Sequence, residues 1–380
     1  MTPSTPDLAA ALRRELADKI RDSGSAADPA WLEAVAAVPR ELFVDAAYYR
    51  YSWPNWQPVR RSEIGDEEWL RRVCSDTTWV TQVDGVDAAE ADAARTGSPT
   101  SSSTLPSLVV RTLEVAGITD GDRVLEVGTG TGYSTALLCH RLGEKNVTSV
   151  EYDPGLAASA AAHLRAAGYA PALVTGDGLL GHQEGAEYDA IVATCSVRYI
   201  PRSWLWQVRD GGTITTTLNG WMGASGLIRL TLDEEGVATG RFERDEVSYM
   251  LARPHERPPR PAFYRAAGHT RTSSVDPRLL QNWTGLFVAQ LAAPSAEFFT
   301  AGDDGTVALV DVATGSQAWT EGSEVHQHGP LRLWDQVENA LTVWQAAGAP
   351  DHTAFGMTVT DEAQTVWLAH PDGPNWPLPA

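Results

Sequence analysis

The segment from Val124 to Tyr133 constrains the fold of this chain more than any other part of the sequence. An apolar run stops at Glu126, and a turn follows with glycine at positions 128, 130 and 132. A short apolar run is typical of a buried parallel strand, and glycine lets the backbone approach a ligand because no Cβ intervenes. The residues after the turn predict a helix, whose first N–H groups have no partner inside the helix. Strand, turn and helix together predict an α/β domain that binds a nucleotide-like ligand.

The glycine spacing and the acidic residue before it favour one kind of ligand. The pattern Gly128-x-Gly130-x-Gly132 differs from the G-x-G-x-x-G fingerprint of dinucleotide-binding domains. Glu126 can accept hydrogen bonds from an ammonium group. S-adenosylmethionine (SAM) has such a group at its methionine end and has no pyrophosphate, so the segment predicts a SAM site. A tight turn in another α/β protein is the alternative, because glycine motifs also occur without a ligand.

Charge and composition narrow the class of protein. The formal charge is −20 at pH 7 and no basic run is present, so the surface repels nucleic acid and anionic membranes. Hydrophobic residues make up 43% of the 380 residues, enough for one large or two ordinary domains. The three cysteines, at 74, 139 and 195, form neither a metal cluster nor a disulfide framework. No apolar segment approaches about 18 residues and no signal peptide is recognisable, which predicts a cytoplasmic protein without nucleic-acid or membrane partners.

Strands and helices alternate after the glycine turn, and polar residues stand where strands end. One predicted strand ends at Glu151, a second leads into Asp177, and a third ends at Thr194. A carboxylate at the end of the second strand of such a sheet binds the hydroxyls of a ribose. Ligands bind beyond the carboxyl ends of the strands, so these residues and Glu126 are predicted to share one site.

A second unusual segment precedes a predicted helix at 106–116. Six hydroxyl-bearing residues fall within the eight positions from Gly97 to Thr104. They reach a helix N-terminus, where backbone donors favour anions. Capping by Ser103 or Thr104 would explain one hydroxyl and leave the others unexplained, and a serine-rich linker is the other alternative. The segment is therefore predicted to be a loop that binds an anionic substrate.

The two ends of the chain have weaker patterns. Residues 7–22 and 29–38 predict helices, and 50–100 predict a loop-rich insertion. Four prolines in residues 253–261 predict a stiff linker to a second domain with strands and a helix at 333–347. His326 and His328 have no third ligand nearby, so no metal site is predicted. The predicted organisation is a substrate-side N-terminal part at 1–100, a cofactor-binding core at 101–252, the linker, and a domain at 262–380.

Four motifs within residues 7–250 resemble those of the protein-L-isoaspartate O-methyltransferase family. They are Val38–Val44, the glycine segment 124–133, residues 175–181 with Tyr188–Ile191, and Pro201–Gly212. The resemblance implies a Rossmann-like, SAM-dependent methyltransferase of the α/β class, with N-terminal helices and a smaller carboxyl-terminal α+β domain.

The resemblance also assigns residues to the cofactor. It implies that the glycine segment holds the methionine and ribose end of SAM, that Glu151 takes the ribose hydroxyls, and that Asp177 lies at the adenine. The predicted cofactor residues are Glu126, Val127, Gly128, Thr129, Gly130, Gly132, Tyr133, Ser134, Glu151, Tyr152, Asp177, Gly178 and Thr194.

The hydroxyl segment departs from the family at one position. The family's substrate loop has a serine two residues before a proline, and here Thr104 stands before Leu105-Pro106. We predict that Thr104, assisted by Ser103 or Ser102, holds one oxygen of a substrate carboxylate while the other attacks the methyl group. The residues predicted to contact substrate are Ser101, Leu105, Cys195 and Ser196.

This departure and the second domain resemble a branch of the family found with ribosomally made lanthipeptides and graspetides. Residues 329–335 and 367–374 carry the resemblance in the carboxyl-terminal part. Members of that branch methylate an aspartate in a modified precursor peptide, and the ester collapses to an aspartimide that can hydrolyse to isoaspartate. Repair of isoaspartyl residues in damaged proteins and a SAM-binding protein without catalysis are the other hypotheses. The second domain is predicted to bind the precursor peptide. The sequence does not determine the oligomeric state, and a monomer is compatible with it.

Overall fold

The computed structural model describes residues 5–266, 268–301 and 306–379, and the chain divides into two compact units. The first unit runs to Thr194 and includes Trp206–Thr215. The second consists of Cys195–Leu205 and the residues from Thr216 onward. The chain therefore passes from one unit to the other three times.

The first unit begins with two helices and a small antiparallel sheet. The helices are α1 (Thr5–Asp22) and α2 (Pro29–Ala37). The sheet contains β1 (Ala47–Ser52), β2 (Asn55–Arg60), β3 (Trp79–Val83), β4 (Val86–Asp87) and β5 (Pro99–Ser103). The helices α3 (Arg61–Ile64) and α4 (Asp66–Val73) connect β2 to β3. Residues 50–100 thus contain more regular structure than their sequence predicts.

A parallel sheet with helices between its strands follows. Its elements in chain order are α5 (Pro106–Val115), β6 (Val124–Val127), α6 (Tyr133–Leu142), β7 (Val147–Glu151), α7 (Pro154–Ala166), β8 (Ala172–Thr175) and β9 (Tyr188–Val197). Strand β6 pairs in parallel with β7 and with β9, and β7 pairs in parallel with β8. The spatial order β8-β7-β6-β9 confirms the predicted α/β architecture.

The core of the first unit forms where the N-terminal helices pack with α5 and α6. Leu16 and Ile20 of α1 are buried at the predicted four-residue spacing, and Trp31 and Val35 of α2 join them. The Asp28 carboxylate accepts a hydrogen bond from the N–H of Ala30 at 2.9 Å and so caps α2. The buried members from the parallel sheet and its helices include Val110, Leu113, Val124, Leu137, Leu138 and Val192.

The second unit is rich in antiparallel strands. After α8 (Arg202–Leu205), its strands are β10 (Val208–Asn219, shared with the first unit), β11 (Ser225–Leu232), β12 (Ala238–Phe242), β13 (His269–Thr272), β14 (Ala296–Ala301), β15 (Thr306–Asp311), β16 (Gln317–Glu321), β17 (Glu324–His328), β18 (Phe355–Val359), β19 (Gln364–Leu368) and β20 (Asn375–Pro377). The helices α9 (Trp283–Ala292) and α10 (Leu333–Ala346) pack on each other. The strands form the orders β11-β12-β18-β19-β20 and β13-β17-β16-β15-β14. No helix among the described residues has the length and apolarity to cross a membrane.

The proline-rich segment 253–261 does not coincide with the division between the units. Strand β12, which precedes it, pairs with β18, which follows it, and Gly240 lies opposite Met357. Strands on both sides of the segment therefore share one sheet. The segment itself contains a short 3-10 helix at Arg253–His255, and His255 is buried.

Three local predictions differ from the structure. The hydroxyl segment, predicted to be a loop, contains β5. Within the Pro201–Gly212 motif, the sequence predicts a helix over 201–208 and a turn at 210–212; the helix is confined to α8, and residues 210–212 lie within β10. Gly211 has a φ of 73° there, so glycine lets the strand bend without ending it.

Candidate active site

The glycine turn joins β6 to α6 and has a backbone that favours glycine. The φ angles of Gly128, Gly130 and Gly132 are 101°, 54° and 92°. An L side chain is strained in this left-handed region. A Cβ on Gly132 would also lie 3.4 Å from atoms of Ala160 and Leu164 in α7. The turn is therefore packed closely on the side of α7.

Glu126 lies one residue before the end of β6, which continues to Val127, and its carboxylate is enclosed by the protein. The side chain is 0% exposed and accepts hydrogen bonds from the hydroxyls of Ser134, Thr135 and Ser149. Burial raises the pKa of Glu126, and the three hydroxyl donors oppose that rise. The predicted contact between this carboxylate and the ligand's ammonium group is therefore not what the structure shows. Glu126 and Ser134 instead tie β6, α6 and β7 together beneath the turn.

Two other carboxylates stand at the ends of neighbouring strands, as predicted. Glu151 accepts hydrogen bonds from the N–H groups of Gly130 at 2.8 Å and Asp153 at 3.0 Å. Asp177, two residues after β8, accepts from the N–H of Leu179 at 2.9 Å. Carboxylates are pure acceptors, which suits the hydroxyl and amino donors of a nucleoside. The structure thus brings Glu151 to the glycine turn and leaves Asp177 beyond the next strand of the same sheet.

Further predicted cofactor residues line or support the turn. The hydroxyl of Thr194 donates to the carbonyl of Gly128 at 2.5 Å, and the hydroxyls of Thr129 and Ser149 are 2.6 Å apart. Thr194 therefore binds the backbone of the turn, and Thr129 links the turn to the neighbouring strand β7.

Val127, Gly178 and Tyr152 have three different environments. A Cβ on Gly178 would lie 2.4 Å from Cγ1 of Val127, so the close packing of the two requires glycine. Val127 itself is buried, whereas Tyr152 is 52% exposed. Tyr152 is thus accessible to a ligand, and the Val127 side chain is not.

The hydroxyl residues of β5 alternate between two faces, as side chains of a strand do. Ser101 and Ser103 are 3% and 0% exposed, whereas Ser102 and Thr104 are half-buried. The Thr81 hydroxyl donates to Ser101 Oγ at 3.0 Å. Both side chains are turned into the protein, so this structure does not present Ser101 for the predicted substrate contact or Ser103 for the predicted role in catalysis. Ser102 and Thr104 remain candidates.

The strand β5 and the glycine turn meet. A Cβ on Gly130 would lie 3.9 Å from the carbonyl oxygen of Ser102. The next segment is also fixed, because the N–H of Leu105 donates to Thr78 Oγ1 at 3.0 Å. The structure thus brings together the two segments that the sequence singled out.

Cys195 and Ser196 belong to the second unit, and their predicted substrate contacts differ in outcome. Ser196 is 0% exposed, donates its hydroxyl to the carbonyl of Tyr249 at 2.7 Å and lies 2.6 Å from Thr217 Oγ1. This side chain is engaged inside its own unit and does not offer the predicted contact. Cys195 is half-buried and is not part of a disulfide.

His163 on α7 is a residue near the turn that the sequence did not single out. Its Nδ1 lies 3.1 Å from the carbonyl oxygen of Thr131, and its Nε2 lies 2.9 Å from Asp45 Oδ1. Both partners are acceptors, so only the doubly protonated ring donates to both. Burial is the largest single influence and lowers the pKa of His163, but the hydrogen bonds to Asp45 and Thr131 and the nearby negative charges together outweigh it, so the pKa is raised. An isolated histidine in an alanine-rich helix has no sequence signal that would reveal this role.

We expect the stabilisation provided by His163 to depend on pH. Because its pKa is raised in the folded protein, the stabilisation is complete below about pH 6.5, the ordinary histidine pKa. It is lost as the pH rises through the folded-state pKa. The difference in melting temperature between the wild type and His163→Gln should therefore shrink from about pH 6 to pH 9. Asp87 is a second negative charge near this pair. A difference in melting temperature that stays constant over this pH range would contradict a charged His163–Asp45 pair.

Comparison with known proteins was made on sequence and on fold. Residues 79–235 match the family model of protein-L-isoaspartate(D-aspartate) O-methyltransferase. The protein-L-isoaspartate O-methyltransferase of Thermotoga maritima is 37% identical over 125 residues, which are 32% of this chain and 39% of that protein. The enzyme of the same name from Ignicoccus hospitalis is 35% identical over 133 residues, 34% of this chain and 63% of that protein. The matched region thus spans less than two thirds of either relative.

A solved structure is similar over nearly the whole chain. It is a protein-L-isoaspartate O-methyltransferase with a TM-score of 0.57 and 20% identity, and the match covers 94% of this chain and 100% of that one. Residues 79–235 thus match the protein-L-isoaspartate O-methyltransferase family, and the described residues have a fold similar to that of a solved protein of this name.

Proposed function

We propose that this protein is a SAM-dependent O-methyltransferase that esterifies the carboxylate of isoaspartyl residues in peptides and proteins. The observation that carries the proposal is the approach of Ser102 to Gly130, which joins a hydroxyl-bearing strand to the glycine turn. The family match over residues 79–235 supports it. The net negative charge of the protein does not argue against a peptide substrate, because the field at a binding site depends on the residues around it.

The residues around the turn fit SAM. Glu151 and Asp177 offer carboxylates to the ribose hydroxyls and to the adenine side of the ligand. The positive φ angles of Gly128 and Gly130 leave the backbone of the turn open to a ligand. When bound, SAM supplies an electrophilic methyl group on a sulfonium. The ammonium group of its methionine end has to find acceptors other than Glu126, whose oxygens are engaged by hydroxyls.

The protein's own contribution is to orient a carboxylate and to exclude water. A carboxyl with a pKa of about 4 is ionised at pH 7, so no general base is needed. Thr104 is proposed to donate its hydroxyl to one carboxylate oxygen, and Ser102 to assist it, because these two side chains are the half-buried ones at this end of β5. Alignment of two reactants can contribute about 7–11 kcal/mol relative to a free encounter.

We expect Thr104→Val to lower kcat/KM for an isoaspartyl peptide by about 10- to 100-fold, since a hydrogen bond to a charged group contributes about 1.5–3 kcal/mol. The measurement is transfer of labelled methyl from SAM. Thr100→Val is the matched control, because the hydroxyl of Thr100 donates to Gln82 Oε1 at 2.7 Å within the sheet. Full activity of the Thr104→Val, Ser102→Ala double variant would rule out this assignment.

An aspartate in a ribosomally made, modified precursor peptide is a second candidate substrate. Thr104 in place of the family's serine favours it, as does the resemblance of residues 329–335 to the peptide-associated branch. In that case the backbone nitrogen of the next residue attacks the ester carbonyl and expels methanol, which gives an aspartimide. Water can then open the ring to aspartate or isoaspartate. No protein group is required for these later steps.

Three peptides of matched sequence separate the candidates. One is linear with isoaspartate, one is linear with aspartate, and one is a macrocycle with aspartate. Methylation of the isoaspartyl peptide alone supports the repair-type activity. Preference for the macrocycle over both linear peptides supports the precursor activity. SAM binding without transfer to any of them would favour a protein that binds SAM without catalysis.

A further inference from the structure

Arg40 is a fully buried arginine whose guanidinium is surrounded by backbone carbonyls. It stands in the Val38–Val44 motif, and its side chain is 0% exposed. Its two terminal nitrogens donate, at distances from 2.5 to 3.4 Å, to the carbonyl oxygens of Val73, Ser75, Thr77, Ser103 and Thr104. Burial lowers the pKa of Arg40, but a guanidinium keeps its charge in proteins.

The five carbonyls come from two separate places in the chain. Val73 is the last residue of α4, where helix carbonyls lack partners within the helix, and Ser75 and Thr77 follow it. Ser103 is the last residue of β5, and Thr104, whose hydroxyl is proposed to bind substrate, follows it. Arg40 therefore joins the end of a helix to the end of the substrate strand.

The same motif also contacts the cofactor side. The Cζ atom of Arg40 lies 5.6 Å from the ring centroid of Tyr133, the first residue of α6 after the glycine turn. Phe43 packs edge-on against the Tyr133 ring at 5.9 Å, and its Cδ1 would lie 3.5 Å from a Cβ on Gly132. The four residues from Arg40 to Phe43 thus include both the contact to the substrate strand and the contacts to the turn and the start of α6.

We propose that Arg40 is a positioning residue that fixes Thr104 relative to the glycine turn. The inference rests on the proposed function, since it gives a reason for holding these two segments in one geometry. Arg40 acts through the backbone of Ser103 and Thr104, and it is not a catalytic residue. Lysine cannot replace it, because an ammonium has three donors at one point whereas the guanidinium has five in a planar fork.

The test compares two buried arginines in the full-length protein. Arg40→Lys is expected to lower kcat by about 10- to 100-fold, because a displacement of about 1 Å can cost that much in an aligned reaction. Its affinity for SAM should change by less than about threefold, since the carboxylates that take the nucleoside are untouched. Calorimetry with SAM and initial rates with an isoaspartyl peptide give the two values.

Arg141→Lys is the matched control. The Arg141 side chain is 9% exposed, lies 4.4 Å above the Trp31 ring and pairs with Asp28 at 2.7 Å, at the opposite end of α6 from the turn. This variant should lose melting temperature as Arg40→Lys does, yet keep its kcat. Equal losses of kcat in the two variants at equal melting temperature would overturn the proposal, as would an unchanged kcat in Arg40→Lys.

A second measurement does not depend on catalysis. Hydrogen exchange of the backbone amides at 100–105 should be faster in Arg40→Lys than in the wild type and in Arg141→Lys, because β5 loses its anchor. Unchanged exchange there would overturn the positioning role even if the protein methylates no peptide. Faster exchange in Arg40→Lys, in a protein that shows no methyltransferase activity, would support Arg40 as the anchor of β5 and would reject the proposed function.

Discussion

Replacement of Glu126 by leucine is expected to lower the free energy of unfolding by about 3 kcal/mol. The change leaves the buried hydroxyls of Ser134, Thr135 and Ser149 without their acceptor. Each buried donor left unpaired costs about 1–3 kcal/mol, and part of this is recovered because Ser149 also bonds to Thr129 at 2.6 Å. Denaturant unfolding monitored by fluorescence gives the value.

Two comparisons show whether the hydroxyl network causes the effect. Ser134→Ala removes one donor and leaves the carboxylate with two, so a loss of about 1 kcal/mol is expected. Glu144→Leu makes the same substitution at a carboxylate that accepts one N–H, from Ala170 at 2.8 Å, and should cost less than Glu126→Leu. A loss for Glu126→Leu no larger than that for Glu144→Leu would show that the network contributes little to stability.

Glu151→Gln is expected to weaken SAM binding by about 10- to 100-fold. The N–H of Asp153 loses its acceptor oxygen, but the amide that replaces the carboxylate can still accept the hydrogen bond from the N–H of Gly130 in the turn. It can no longer accept from two ribose hydroxyls with both oxygens, and hydrogen bonds to a charged group contribute about 1.5–3 kcal/mol. Titration calorimetry with SAM or S-adenosylhomocysteine measures the change.

The control for this prediction is Glu144→Gln, an isosteric change of a carboxylate in the 3-10 helix Glu144–Asn146, which precedes β7, whereas Glu151 is the last residue of that strand. It should leave the affinity for SAM unaltered. If Glu151→Gln binds SAM within about threefold of the wild type, the carboxylate does not hold the ribose, and the assignment taken from the strand pattern fails.

The parallel sheet was predictable from the sequence because its signals are local. Strands β6, β8 and β9 consist mainly of apolar residues, and each strand of the sheet is followed by a glycine, a helix or both within a few residues. The position of Glu151 at a strand end follows from the same pattern, and the structure places it against the turn. Strand-end positions can be deduced in this way without knowledge of distant contacts.

The substrate side was less predictable because its structure depends on distant partners. Nothing in the hydroxyl-rich segment has the apolar alternation of a strand, and β5 forms because it pairs with β3, with Ser102 opposite Val80. Only that pairing reveals that Ser103 is turned inward. The enclosure of Glu126 likewise needs Ser149, on the neighbouring strand, 23 residues away in the chain.

Arg40 illustrates a third case. The sequence showed that the Val38–Val44 motif resembles one in a known family but gave no reason for an arginine there. The reason is a set of carbonyls that lie from 33 to 64 residues away. A motif can thus be recognised before its physical role is understood.

The pairing of β12 with β18 has a consequence for how this protein can be divided or recombined. A cut within residues 253–261 would strip Ala238–Arg241 of their antiparallel partner and expose an edge strand, a known cause of aggregation. A cut before Cys195 would instead remove Trp206–Thr215, which belong to the first unit. No single break leaves both units whole, so the carboxyl-terminal part of this protein cannot be removed or exchanged as one continuous segment without dividing one of the units.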